Sequence, residues 1–176
     1  MRKLNNRIWW IAGMILLQVL VLLGLAGSNL AVEWYGKEIR LETAPVDPRD
    51  LFYGDYVILN YEISELPEEM WRGGEFPGYD DTVYVLLRPS SSDALVYEAV
   101  GLYSDRPQTA GDEVVLKARV KNNWDRIIRL SYGLERYYVP EGTGRALEEQ
   151  QDKMQVVVKI APWGQAKLSK LIVESS

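Results

Sequence analysis

The chain has 176 residues, with 20 Lys and Arg against 25 Asp and Glu, and it contains no cysteine and no histidine. This composition excludes disulfides, cysteine nucleophiles, Ser-His-Asp triads and zinc sites built from cysteine or histidine within the chain. The formal net charge is −5, and every charged residue before Glu33 is basic, so the remainder is more acidic than the whole. Such a surface disfavours nucleic-acid binding, which requires basic side chains against the phosphates.

An apolar segment occupies residues 8–27, with Gln18 as its single polar side chain. About twenty apolar residues suffice for a helix to cross a hydrocarbon core of about 30 Å. Tryptophans lie near both ends of the segment, and aromatic side chains of this kind favour the headgroup layers of a membrane. We therefore predict a transmembrane helix over residues 8–32, with the lipid bilayer around it.

The charges that flank this segment predict its orientation. The charged residues before it are all basic, whereas the first one after it, Glu33, is acidic. The positive-inside rule therefore places residues 1–7 in the cytoplasm and residues 33–176 outside the cell membrane, as a single-pass protein. A cleaved signal peptide is the alternative, because small residues at 26–28 suit a cleavage site. The apolar run is, however, longer than the about 7–15 residues typical of a signal peptide.

The rest of the chain is dominated by short alternating segments bounded by turn residues. The clearest spans residues 112–121, where the apolar residues predicted to face the core are Val114, Leu116, Ala118 and Val120. Further strands are predicted at 37–42, 56–63, 82–88, 95–103, 127–132, 154–160 and 167–173, with turns at 122–123 and 161–164 and one short helix from Thr143. Because parallel strands need helical crossovers, the pattern predicts a mainly β fold: an antiparallel β-sandwich or barrel-like domain with a short helix.

Turn formers, acidic groups and tyrosines are concentrated in residues 45–63. Gly54 is predicted to adopt a backbone conformation that a Cβ would strain. On the strand that follows, Leu59 and Tyr61 share one face, and we assign both to the core. Tyr56 points to the other face and is therefore the candidate for a contact surface.

Residues 54–61, GDYVILNY, match the pattern GDYxxLxY at every fixed position. With this pattern, the preceding DPRD at 47–50 and the block YGLERYYVPEGTG at 132–144, the chain resembles the GDYXXLXY proteins, a family of bacterial membrane-anchored proteins. Tyr138 stands where phenylalanine is more usual in that family. The resemblance implies no particular activity, and it implies a polytopic membrane protein as a partner.

Charged residues of these two blocks, with one tyrosine, are the candidate binding residues. They are Asp47, Arg49, Asp50, Asp55 and Tyr56 in the first block and Glu135, Glu141 and Arg145 in the second. Glycines flank Thr143, and backbone N–H groups at a glycine-rich helix start can bind an anion with help from Arg145. The same glycines equally suit an ordinary loop, so both interpretations stay open.

Other site chemistries also fit the composition. Two of the carboxylates could serve as acid and base, as in glycosidases. Three of the aspartates could hold calcium through oxygen ligands, although their spacing is not that of an EF-hand loop. The loop 67–81 carries Trp71, Phe76 and Tyr79 among glycines; these rings could bind a sugar, a peptide or a lipid headgroup, or fold back as an apolar lid.

From these patterns we predict a binding or assembly module for a membrane partner or envelope component. The alternative is a carboxylate-dependent hydrolase acting on an envelope glycan. An enzyme would gather at least two carboxylates in one cleft, whereas a binding module would leave them scattered or paired with arginines. We assign no catalytic residue, no metal and no cofactor.

Overall fold

The computed structural model of the chain describes residues 2–44, 56–138 and 154–173. In these ranges one long α-helix, α1 (Arg2–Tyr35), is followed by eleven β-strands. The strands are β1 (Lys37–Ala44), β2 (Tyr56–Ile58), β3 (Asn60–Tyr61), β4 (Glu65–Pro67), β5 (Thr82–Pro89), β6 (Tyr97–Tyr103), β7 (Val114–Trp124), β8 (Ile127–Ser131), β9 (Arg136–Tyr138), β10 (Met154–Ile160) and β11 (Ala166–Val173). The short helix predicted from Thr143 lies outside the described residues.

The helix α1 is long and apolar enough to cross a bilayer. Its segment Trp9–Tyr35 has 27 residues and a mean hydropathy of 2.2, and its most apolar stretch is not covered by the rest of the protein. These properties are consistent with the predicted single-pass anchor. The helix continues to Tyr35, and the bounds of its membrane-spanning part, 8–32, stay a prediction.

The last turn of α1 packs against the β-domain. Val32 is 1% exposed, and α1 contacts β10 and β11. The Glu33 carboxylate forms ion pairs with Lys159 and, at 3.2 Å, with Lys167, which are neighbours across these two strands. Because Gly36 alone separates α1 from β1, the domain follows the helix without a flexible stalk.

Two antiparallel sheets build the domain. One has the strand order β11-β10-β1-β3 and the other the order β4-β8-β7-β5-β6, while β2 and β9 form a separate two-stranded ribbon. Every pair of neighbouring strands in them is antiparallel. Apolar side chains from both sheets belong to a single buried cluster, so the core lies between the sheets. The prediction of a mainly β, antiparallel domain is confirmed.

Burial along β7 follows the predicted alternation. Its exposed side chains include Lys117 and Arg119. Val115, which was not predicted to be buried, is 3% exposed, so the first residues of β7 are covered on both faces. The residues predicted to face the core are all buried: Val114, Leu116, Ala118 and Val120.

The hairpin after β7 turns later than predicted. Asn122 and Asn123 are part of β7, which pairs with β8 as far as Trp124, so the turn predicted there is wrong. The chain turns instead at Asp125 and Arg126, whose φ angles are 55° and 62°. Two consecutive residues with positive φ match the right-handed twist of a hairpin, which favours the turn at this pair.

The single strand predicted over 56–63 is also wrong, because the chain changes partner strands at Leu59. Before this residue β2 pairs with β9, and after it β3 pairs with β1. A 3₁₀ turn, Glu62–Ser64, then ends the segment, and the Ser64 hydroxyl accepts a hydrogen bond from the Tyr61 backbone N–H at 3.2 Å. The strand is interrupted because its two halves are hydrogen-bonded to different remote strands. Alternation within the segment does not reveal these partners.

Part of the aromatic loop folds back onto the sheet. A 3₁₀ turn spans Glu68–Met70, and Trp71 forms a bridge with Leu102. The Trp71 ring packs against the core and meets Phe76 edge to face, with ring centroids 6.3 Å apart. Tyr79 remains exposed, so only the first half of the loop acts as the apolar lid considered from the sequence.

Candidate functional site

The second half of the GDYxxLxY segment is hydrogen-bonded to the block that begins at Tyr132. The Leu59 backbone N–H donates to the Glu135 carbonyl oxygen at 2.7 Å. The Tyr61 hydroxyl donates to the Leu134 carbonyl oxygen, also at 2.7 Å. Leu59 and Tyr61, assigned from the sequence to the core, are 2% and 1% exposed. Two segments about seventy residues apart in the sequence therefore fold as one unit.

Tyr132 completes this unit from the other side. Its hydroxyl donates to the Ile63 carbonyl oxygen at 2.5 Å. Burial raises the pKa of Tyr132 well above its ordinary value, and the nearby Glu135 carboxylate raises it further. The pKa of Tyr61 is raised by the same two causes, burial first. Both hydroxyls therefore remain protonated donors at neutral pH.

Glu135 closes the turn in which it lies. Its carboxylate accepts hydrogen bonds from the backbone N–H groups of Tyr132, at 2.5 Å, and Gly133, at 3.2 Å. Gly133 has a φ of 75°, a conformation that favours glycine. The contacts of Glu135 in the structure are thus those of a turn residue, and its proposed role in binding remains a prediction.

Most of the other predicted site residues fall in the parts of the chain that the structure does not describe. For Tyr56 the structure gives the backbone, which pairs with Tyr138 between β2 and β9. The two family blocks are therefore adjacent at this pair. The predicted residues outside the described ranges are Asp47, Arg49, Asp50, Gly54, Asp55, Glu141 and Arg145, and their roles stay predictions.

A cleft of about 450 Å³ lies beside this unit. Its floor is the outer face of β7, where Lys117 and Arg119 project, and Tyr84 of β5 is directly across from Lys117. Tyr132 lines one side, and Trp163 of the β10–β11 turn lines the other. Its size falls within the range of about 300–1,000 Å³ common for ligand sites.

The β10–β11 turn forms one wall of the cleft because it is hydrogen-bonded to β7. The Lys117 backbone N–H donates to the Gly164 carbonyl oxygen at 3.0 Å. Gly164 has a φ of 92°, which lets the chain turn back towards β11. The Trp163 indole N–H donates to the Gln165 side-chain oxygen at 3.0 Å, which fixes the ring. The turn predicted at 161–164 is confirmed, and its contact with β7 was not predicted.

The cleft is basic in an otherwise acidic protein. None of the described residues that line it is acidic. Lys117 forms no side-chain hydrogen bond or ion pair with any residue that the structure describes. Arg119 pairs with Asp80 at 2.9 Å, and both side chains are more than half exposed, so this ion pair is weak and exchangeable. Two cations beside three aromatic rings can bind an anionic group next to an apolar one.

In the sequence, Lys117 and Arg119 alternate with the predicted core residues of 112–121 and so fall on the exposed face of that strand; they are not among the predicted binding residues. The signal that distinguishes them is the register of β5 and β7, which places Tyr84 beside Lys117. A second signal is the docking of Gly164 on β7. Both are contacts between remote segments, and neither has a local pattern.

Comparison with known proteins supports the resemblance seen in the motifs. The family model described as GDYXXLXY protein matches residues 18–171, which include the end of the apolar helix and nearly all of the domain. No curated protein and no solved structure is similar enough to the chain to count as a match. The match covers most of the chain, and the chain belongs to the GDYXXLXY protein family.

Proposed function

We propose that the chain is a membrane-anchored binding module, whose domain lies outside the cell membrane and binds an acidic segment of a neighbouring membrane protein. The observation that carries this proposal is the basic, aromatic cleft containing Lys117, Arg119, Tyr84, Tyr132 and Trp163. Cationic side chains at an interface favour a partner of opposite charge and reject one of like charge. Aromatic side chains add a large contact area to such sites.

The attachment of the domain to α1 supports a partner that is itself in the membrane. Val32 is buried against the domain, and Gly36 is the whole connection between α1 and β1. The cleft is therefore held at a nearly fixed height above the bilayer, where the external segments of neighbouring membrane proteins lie. The described lining of this cleft offers no carboxylate, so the cleft does not suit the carboxylate hydrolase. The hydrolase would instead need a separate pocket of about 260 Å³, which is lined by Glu42, Glu62, Glu65 and Glu98; Glu65 there is ion-paired with Arg129 at 2.8 Å.

The orientation can be tested directly because the chain has no cysteine. A cysteine introduced by Ser169→Cys on the exposed face of β11 should react with a membrane-impermeant maleimide in intact spheroplasts. One introduced by Asn5→Cys should react only after permeabilisation. The reverse pattern would place the domain in the cytoplasm and contradict this part of the proposal.

The cleft can be tested with two matched charge reversals. Lys117→Glu removes a cation from the cleft, whereas Lys121→Glu makes the same change at an exposed lysine of β7 that does not line it. The full chain in nanodiscs is titrated with a fluorescent decaglutamate peptide, and we expect Lys117→Glu to weaken binding at least about tenfold, or about 1.4 kcal/mol. Lys121→Glu should have little effect.

The partner itself is identified by photo-crosslinking in cells, with a photoreactive side chain in place of Tyr84 and a control at the exposed Tyr79. We expect the Tyr84 position to give an adduct with a membrane protein, and Lys117→Glu to abolish it. Equal peptide binding by the two lysine variants, or an adduct with a glycan, would overturn the proposal.

A further inference from the structure

Another pocket lies where α1 enters the domain. It has a volume of about 200 Å³, and its polar or aromatic lining residues are Tyr35 at the end of α1, Lys37 at the start of β1, and Arg106, Thr109 and Glu113 from the domain. Apolar residues, among them Pro162, complete the lining. It is separate from the cleft described above, with which it shares no lining residue. Its position is therefore tied to the membrane by the helix itself.

The depth of this pocket follows from the length of α1. The apolar part of α1, Trp9–Tyr35, has 27 residues and rises about 40 Å. This length is close to the about 40–45 Å that a bilayer measures with its headgroup layers. Tyr35, at the end of this span, therefore lies at the level of the headgroups on the side of the domain, where this aromatic type is favoured.

Within the part of the chain that the structure describes, the ion pairs around the pocket leave one cation free. The Lys37 ammonium group is 2.8 Å from the Asp112 carboxylate, and the Arg88 guanidinium is 2.7 Å from the Glu113 carboxylate. These two ion pairs neutralise the acidic groups at the pocket. Arg106 forms no hydrogen bond or ion pair with any residue in the described ranges, and it is exposed.

We infer that this pocket binds the headgroup phosphate of a phospholipid from the leaflet on the side of α1 where the domain lies. The Arg106 guanidinium can donate two parallel hydrogen bonds to one phosphate. The Thr109 hydroxyl, which also lines the pocket, supplies a further donor. Pro162 and the ring of Tyr35 offer apolar surface to the glycerol backbone. The domain is acidic overall, so this recognition is local rather than a general attraction to anionic lipid.

The test compares Arg106→Glu with Arg126→Glu. Arg126 is also exposed and free of ion pairs within the described residues, but it lies in the hairpin turn at the far end of β7. That end is about 30 Å along the strand from Val114, which lines the pocket. The full chain is purified in detergent with phosphatidylglycerol added, and retained lipid is counted by native mass spectrometry.

We expect the unchanged chain and Arg126→Glu to retain one phosphatidylglycerol molecule, and Arg106→Glu to lose about tenfold in apparent affinity. Unchanged melting of both variants establishes that the fold is intact. A parallel titration with inorganic phosphate, in detergent without lipid, distinguishes a headgroup from a free ion. Equal lipid retention by the two variants, or phosphate binding as tight as lipid binding, would overturn the inference. The outcome does not depend on the occupant of the basic cleft.

Discussion

The rings of Tyr61 and Tyr132 meet edge to face, with centroids 6.3 Å apart and ring planes at 87°. Each hydroxyl donates to a backbone carbonyl of the other segment, Tyr61 to Leu134 and Tyr132 to Ile63. The exchange is reciprocal, so neither segment can shift along the other without breaking both bonds. The final tyrosine of the GDYxxLxY pattern therefore has a role in the fold that its position in the motif does not reveal.

Replacing Tyr61 with phenylalanine tests this role. Tyr61→Phe keeps the ring and removes the hydroxyl, which leaves the Leu134 carbonyl without its partner in a buried site. We expect the free energy of unfolding to fall by about 1–3 kcal/mol, measured by urea titration of the full chain in detergent. Tyr79→Phe is the control, because Tyr79 is 77% exposed. Similar losses in the two variants would contradict the proposed role.

Alkaline pH should destabilise the domain through the same pair. Burial holds the pKa values of Tyr61 and Tyr132 above that of an unfolded tyrosine, about 10. Their neutral forms therefore stabilise the folded state fully below pH 10, and this contribution is lost as the pH rises through the folded pKa. Melting temperatures from about pH 8 to pH 11 should fall, and they should fall less steeply in Tyr61→Phe. A steeper fall in the variant would show the sign to be wrong.

A third prediction separates the two faces of β7. Leu116 is fully buried, whereas its neighbour Lys117 is exposed. Leu116→Ala should lower the free energy of unfolding by about 2–5 kcal/mol, as large-to-small core changes do. Lys117→Ala should change it by less than about 0.5 kcal/mol. Equal sensitivity in thermal unfolding would mean that this part of the strand is covered on both faces, as at Val115.

The GDYxxLxY segment can be divided into a folding part and a contact part. Leu59→Ala should cost about 2–5 kcal/mol, because Leu59 is buried in the core. Tyr56→Ala should leave the melting temperature nearly unchanged and weaken the crosslink to the membrane partner. Melting and crosslinking are measured on the same preparations. If Tyr56→Ala melts as early as Leu59→Ala, Tyr56 belongs to the core and the contact role fails.

The sequence was most informative where the alternation within a single strand was enough to predict which side chains are buried. Alternation predicted the buried face of β7, because a half-buried strand repeats every two residues. It failed at Leu59, where the chain leaves β9 and joins β1. The preceding and following residues keep the same alternation, so the exchange of partner strands leaves no local trace.

The basic cleft was beyond sequence reasoning for a related reason. Lys117 and Arg119 appear in the sequence as charged residues on an exposed face, which describes many strands. Tyr84 and Trp163 reach the cleft only through strand register and through the Gly164 contact with β7. The distance in sequence between these residues is large, and no turn or periodic pattern connects them.

Because the connection at Gly36 is short, the orientation of the domain around the membrane normal depends on the rotation of α1 about its own axis. Each residue of an α-helix turns by about 100° and rises about 1.5 Å. One residue inserted between Gly27 and Val32 would therefore swing the domain about a third of a turn around the membrane normal and direct the cleft at a different neighbour. Four inserted residues would return the domain to within about 40° of its original orientation and raise it by about 6 Å. The length of the anchor thus sets both the direction in which the cleft faces and the height of the domain relative to the bilayer.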